Sequence, residues 1–183
     1  MATTVTALTP AVGTIIENID LRTLDESDFK TVAAAFDHYH GLVFRDQHLS
    51  DDDLVAFSAR FGPLDHAPVM ENGRTAVEGR PEIYLVSNIK DASGAAIGSL
   101  GSGEAVWHTD MSYAANPPFA SALYAVEIPP AGGETSLCSM AAAYRALPEA
   151  LRARLAGLRI KHDGTYNSGG YLRQGVSEAD NPR

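Results

Sequence analysis

The stretch DESDFKTVAAAFDHYHGLVFR, residues 25–45, carries both periodicities from which the fold is read. In its first part Phe29, Val32, Ala33, Phe36 and Tyr39 recur at the i, i+3, i+4, i+7 spacing of one helix face. An aspartate or serine stands before them as a cap, and Gly41 follows as a stop. In its second part LVFR, residues 42–45, is the short apolar run of a buried strand. A helix that runs at once into a strand predicts helices packed on a sheet.

Outward from this stretch the pattern repeats. SDDDLVAFSARFG, residues 50–62, predicts a second helix: Ser50 caps it, Asp53 holds the capping-box position, Leu54, Phe57 and Phe61 line one face, and Gly62 ends it. EIYLVSNI (82–89), FASALYAVEI (119–128), the run after the PPAGG turn (129–140) and RIKHD (159–163) read as strands. Between them, residues 91–103 form a loop with four glycines. Residues 139–158 predict two short helices, with Ser139 as a cap, Pro148 near a first turn and Gly157 as a stop. From Gly164 onward the composition is that of a flexible loop. The expectation is a β-rich α+β fold. Periodicity does not choose between an open sheet, a sandwich and a barrel.

Composition narrows the partners. The chain has 183 residues, 45% of them hydrophobic, enough for one domain with a real core. The formal net charge is −9, and no basic run occurs, so neither nucleic acid nor an anionic membrane is the expected partner. Cys138 is the sole cysteine, which excludes an internal disulfide and a cysteine-based zinc or iron–sulfur site and suits a reducing, cytoplasmic compartment. The N-terminal MATTVTALTP has no basic start and no long apolar stretch, so it does not read as a secretory signal. No window approaches the ~18 apolar residues of a membrane helix. A homo-oligomer stays open.

The chemistry sits in GSGEAVWHTDMSY, residues 101–113. On an extended backbone residues i and i+2 point to the same side, so His108 and Asp110 can present an imidazole nitrogen and a carboxylate to one point. That suits Fe(II), Mn or Zn, and a 2-His-1-carboxylate triad needs one more histidine. The other reading is a loop histidine hydrogen-bonded to a nearby carboxylate. The remaining histidines have plainer roles: His38 and His40 end a helix, where i and i+2 do not share a face, and His48 precedes a cap.

The order of motifs goes further. AVGTIIENIDL, then GLVFRDQHLSDDDLVAFSARFGPL, then WHTDMSY, then NPPFASALYAVEIPPAGGETSLCSMAAAYRALP resembles the TauD/TfdA family of Fe(II)/2-oxoglutarate-dependent dioxygenases. The resemblance spans nearly the whole chain. It implies a double-stranded β-helix, a jelly-roll variant, flanked by helices. It implies Fe(II), 2-oxoglutarate and O2, with succinate and CO2 released and an unactivated C–H bond oxidised. His108 and Asp110 match the family's first two metal ligands. Thr135, in GGET, matches the threonine that holds the distal carboxylate of 2-oxoglutarate. Tyr113 matches an aromatic position near the substrate. Trp107 is expected to pack the strand that carries the motif, and Cys138 to be buried.

Two departures stand out. The family's third ligand is a downstream histidine, followed by an arginine that pairs with 2-oxoglutarate. The one histidine after His108 is His162, in a segment read as a structural strand. The expectation is therefore one domain over residues 1–183, incomplete at its C-terminus. Second, sulfonate-using members place a histidine directly before proline after F-G-x-L. Here FGPLDHAPV has Ala67 before Pro68 and His66 one place early, which argues against a taurine-like substrate.

The activity expected is hydroxylation, or oxidative cleavage, of a small organic acid. The alternatives are desaturation or isonitrile formation on the same core, or a catalytically inactive jelly-roll module that binds a ligand. Residues 91–104 and the tail from Gly164 are expected to form mobile lids, with Tyr166, Tyr171 and Arg173 reaching an acidic substrate.

Overall fold

A computed structural model of the chain describes residues 2–67, 77–95, 97–100, 107–166, 172 and 177. They divide into two compact units, the first Met1–Phe57 with Ala125–Arg159, the second Ser58–Tyr124 with Ile160–Arg183.

The first unit is built on β1 (Thr4–Ala7), β2 (Thr14–Glu17) and β3 (Leu42–Phe44), in the order β1-β2-β3. Strand β1 runs antiparallel to β2, with Val5 opposite Ile16; β3 runs parallel to it, with Ile15 opposite Val43. A parallel neighbour needs a crossover, and helix α1 (Glu26–Tyr39) supplies it, packing on β2 and β3. Asp25 caps α1 by accepting from the Asp28 amide. The other end closes one residue earlier than the sequence suggests, at His40, which takes the left-handed conformation at φ 59 and donates its amide to the Phe36 carbonyl. Val32 and Ala35 are buried; Phe29, Ala33, Phe36 and Tyr39 are half-buried beside them.

The core under this helix is small: Ile16, Leu21, Val32, Ala35 and Phe57, with Thr14 fully buried among them. Burying a hydroxyl costs stability unless it is bonded, and the Thr14 hydroxyl donates to the Thr6 carbonyl at 2.7 Å. A single 3-10 turn, Leu21–Thr23, is clamped to the end of β3 by Gln47, whose side chain accepts from the Leu21 amide and donates to the Ile19 carbonyl, both at 3.0 Å. Helix α2 (Asp51–Ala59) begins with the expected box: the Asp53 amide donates to Ser50 Oγ, and the Ser50 amide donates to Asp53 Oδ2. Its Phe57 meets Phe44 edge to face, ring centres 5.5 Å apart. Helices α3 (Met140–Ala146) and α4 (Glu149–Leu155) follow their sequence signals, Ser139 capping the first and Pro148 opening the second.

The strand readings fare differently. Of residues 82–89 only β4 (Val86–Ser87) is a strand, paired parallel to β5 (Ser99–Leu100). Residues 119–128, 134–138 and 159–163, read as strands, belong to no ladder. A strand exists only where a neighbour takes its ladder hydrogen bonds, and among the described residues these segments are in no sheet. Their alternating apolar side chains are correspondingly exposed, Leu123 at 72%, Val126 at 83% and Ile160 at 79%. Among the described residues the architecture is mixed α/β with two small sheets. No helix among the described residues is long and apolar enough to cross a membrane.

Candidate metal centre

Residues 107–109 lie outside any strand, and a turn begins at Asp110. Met111 adopts φ 47, the left-handed region that non-glycine residues seldom occupy, and the Ala114 amide closes the turn on the Met111 carbonyl at 2.9 Å. The chain therefore reverses directly after the H-x-D triplet, and both side chains face the same point. His108 Nε2 lies 3.2 Å from Asp110 Oδ1, with the side chains 37% and 61% exposed. The other carboxylate oxygen, Oδ2, accepts from the Ser121 hydroxyl at 3.4 Å.

This spacing serves two purposes. With Nε2 protonated it is a hydrogen bond or ion pair. With Nε2 unprotonated it is a pair of adjacent donors. Metal–nitrogen and metal–oxygen bonds of about 2.1 Å place neighbouring donors about 3 Å apart, so the pair fits one first-row divalent ion. Among the described residues no group of three or more His, Cys, Asp or Glu converges on such a point.

Tyr113 follows in the same turn, and its ring lies against the backbone of Gly164: a Cβ built there would stand 2.9 Å from Tyr113 Cδ2 and 3.1 Å from Cγ. The Gly164 segment is ordered by the Asp163 carboxylate, which accepts from the Thr165 amide at 2.8 Å; Thr165 is buried, and Tyr166 bridges to Leu172 in an antiparallel pair. The beginning of the tail is thus a tied turn beside Tyr113. Tyr171 and Arg173 lie outside the described residues.

The other sequence candidates each lie in their own segment. His66 is exposed, in an irregular segment held by the Ala67 amide on the Pro81 carbonyl at 2.8 Å. Thr135 is exposed in the first unit, just after two left-handed glycines, Gly132 and Gly133. Trp107, expected to pack a strand, is 70% exposed, and residues 107–109 lie outside any strand. Cys138, expected to be buried after a strand, is exposed.

The glycine-rich loop starts in an Asx turn at Asp91. The Asp91 side chain accepts from the Ser93 hydroxyl at 2.6 Å, the Ser93 amide at 2.8 Å and the Ala95 amide at 3.0 Å. These bonds, the Ser93 hydroxyl first, hold its carboxyl below the usual carboxylate range. Residues 99–100 then form β5. The Asx turn sets this geometry, and a glycine count does not reveal it.

Two contacts escaped the sequence reading: Ser121 on Asp110 and Gly164 under Tyr113. Ser121 left one signal, as a polar residue inside the mainly apolar run FASALYAVEI.

Known proteins share this arrangement of segments. A 2,4-dichlorophenoxyacetate dioxygenase dependent on alpha-ketoglutarate (2-oxoglutarate), from Cupriavidus pinatubonensis, is 34% identical over 174 residues, covering 88% of this chain and 58% of that protein. Pentalenolactone F synthase from Streptomyces avermitilis is 38% identical over 156 residues, covering 83% of this chain and 50% of its own length. The crystal structure of a taurine dioxygenase from Burkholderia xenovorans superposes with a TM-score of 0.63 at 35% identity, over 85% of this chain and 51% of that one. The chain spans about half the length of the relatives it matches. The family profile for the taurine catabolism dioxygenase TauD, TfdA family matches residues 4–182, nearly the whole sequence, and the chain belongs to that family.

Proposed function

We propose that the chain supplies part of the Fe(II) centre of a 2-oxoglutarate-dependent dioxygenase that hydroxylates, or oxidatively cleaves, a small organic acid in the cytoplasm. Both units belong in this reading to one TauD/TfdA-like domain with a double-stranded β-helix core. The observation that carries it is the 3.2 Å approach of His108 Nε2 to Asp110 Oδ1, in a chain whose relatives include an enzyme named for an aryloxy acid.

His108 and Asp110 would hold the ion through one nitrogen and one oxygen. Thr135 would donate its hydroxyl to the distal carboxylate of 2-oxoglutarate. Tyr113, held against Gly164, would form one wall for the substrate, with His66, Tyr166, Tyr171 and Arg173 as further candidates to meet its acidic group. When bound, the iron supplies O2 activation, coupling the conversion of 2-oxoglutarate to succinate and CO2 to oxidation of a substrate C–H bond; the protein positions the carbon and keeps water away.

Succinate release tests this. The whole protein is supplied with Fe(II), 2-oxoglutarate and air, and a panel of small carboxylic acids is screened. Release that needs Fe(II), rises with one class of acid and disappears in His108→Ala supports the reading. Absence of succinate throughout, the outcome expected of an inactive binding module, refutes it.

A further inference from the structure

We infer that Ser121 is a positioning residue for the metal centre: its hydroxyl holds Asp110 Oδ2 so that the carboxylate offers one oxygen, not two, to the ion beside His108. This rests on the proposed Fe(II) centre.

The need follows from the chemistry of a carboxylate. Its two oxygens are equivalent, and a half-turn of the side chain exchanges them. Asp110 is 61% exposed, so neighbouring packing restricts that turn only weakly. A first-row ion of this class keeps open positions for cosubstrate and oxygen. A carboxylate that binds through both oxygens takes one of those positions. A donor on the second oxygen works against this, because it fixes the rotation of the carboxylate with the other oxygen toward the metal.

Ser121 is placed for that task. It lies eleven residues beyond Asp110, yet its Oγ comes within 3.4 Å of Oδ2 while Oδ1 faces His108 Nε2 at 3.2 Å. The two oxygens of one carboxylate are thus assigned to different neighbours. The return of the chain is stiffened on the way: Met111 turns it at φ 47, and Pro117 and Pro118 fix their own φ angles before Ser121. At 3.4 Å the contact is longer than a strong hydroxyl–carboxylate bond, so its effect on affinity belongs at the low end for such supporting contacts, about tenfold.

The test compares Ser121→Thr with Ser121→Val, which have the same shape and differ by the hydroxyl. Mn(II) is the probe. The free ion's six-line EPR signal reports Kd, and the thermal midpoint of the metal-free chain reports structure. Ser121→Thr is expected to keep the parent Kd and Ser121→Val to bind about tenfold more weakly, with equal midpoints. Equal Kd values for the two variants overturn the inference. His108→Ala separates the layers. If it loses Mn(II) binding while Thr and Val at 121 are alike, only the role of Ser121 fails. If His108→Ala binds Mn(II) like the parent, the metal centre itself is wrong and the role of Ser121 falls with it.

Discussion

Replacing Gly164 by alanine should push Tyr113 out of place, and the size of the effect follows from the geometry. The added Cβ would lie 2.9 Å from Cδ2, 3.1 Å from Cγ and 3.4 Å from Cε2 of the ring. Ordinary carbon contacts begin near 3.5 Å, so the ring must withdraw by about half an ångström. Gly164 is not in the left-handed region, so alanine meets no backbone penalty, and the cost is steric. Overpacking costs about 1–3 kcal/mol, and a ring that is 38% exposed has room to yield, which places this case near 1 kcal/mol. That is about a fivefold change in an equilibrium constant. In Tyr113→Ala the obstacle is gone, and Gly164→Ala should be neutral or slightly stabilising through the unfolded chain. A double-mutant cycle by urea unfolding should therefore give a coupling of about 1 kcal/mol. Additivity within about 0.3 kcal/mol, or no cost in the unsubstituted chain, would refute the contact. If Tyr113 also forms a wall for substrate, Gly164→Ala raises the substrate KM severalfold.

Thr135→Ala should raise the KM for 2-oxoglutarate several-fold to about tenfold without abolishing turnover, the value of one hydrogen bond to a carboxylate; an unchanged KM removes Thr135 from the site. Val32→Ala, at a fully buried position on α1, should cost about 2 kcal/mol by urea unfolding, while Lys30→Ala on the exposed side of that helix costs little. Asp20 is held at about 2, against an ordinary 3.8, chiefly by the hydrogen bond from the Arg22 side chain. Because its folded value is depressed, its contribution is present above about pH 4 and is lost as pH falls toward 2; Arg22→Ala should return the carboxyl titration, followed by carbon-detected NMR, toward 3.8.

The helices were legible because their signals are local. Asp25, Ser50 and Ser139 cap within three residues of themselves, and the apolar stripe of α1 needs no knowledge of what it packs against. The strands were not, because a strand is defined by a partner. FASALYAVEI has the alternation and the β-branched residues, yet among the described residues it pairs in no sheet. In the opposite case, β1 is exposed along all four residues and its TVTA is too short to stand out as a strand, but the antiparallel register with β2 makes it one. The site divides in the same way. His108 and Asp110 are two residues apart and could be paired by spacing; Ser121 and Gly164 reach the site through turns whose closure depends on Met111 and Asp163.

The central claim is that His108 and Asp110 are ligands of an iron that also binds 2-oxoglutarate. Anaerobic addition of Fe(II) and then 2-oxoglutarate tests it directly, through the weak visible charge-transfer band that a 2-oxo acid gives when it chelates Fe(II). The band should appear with the unsubstituted chain, require both additions, and vanish in His108→Ala and in Asp110→Ala. No band with the unsubstituted chain, or a band that persists in both variants, would contradict the claim.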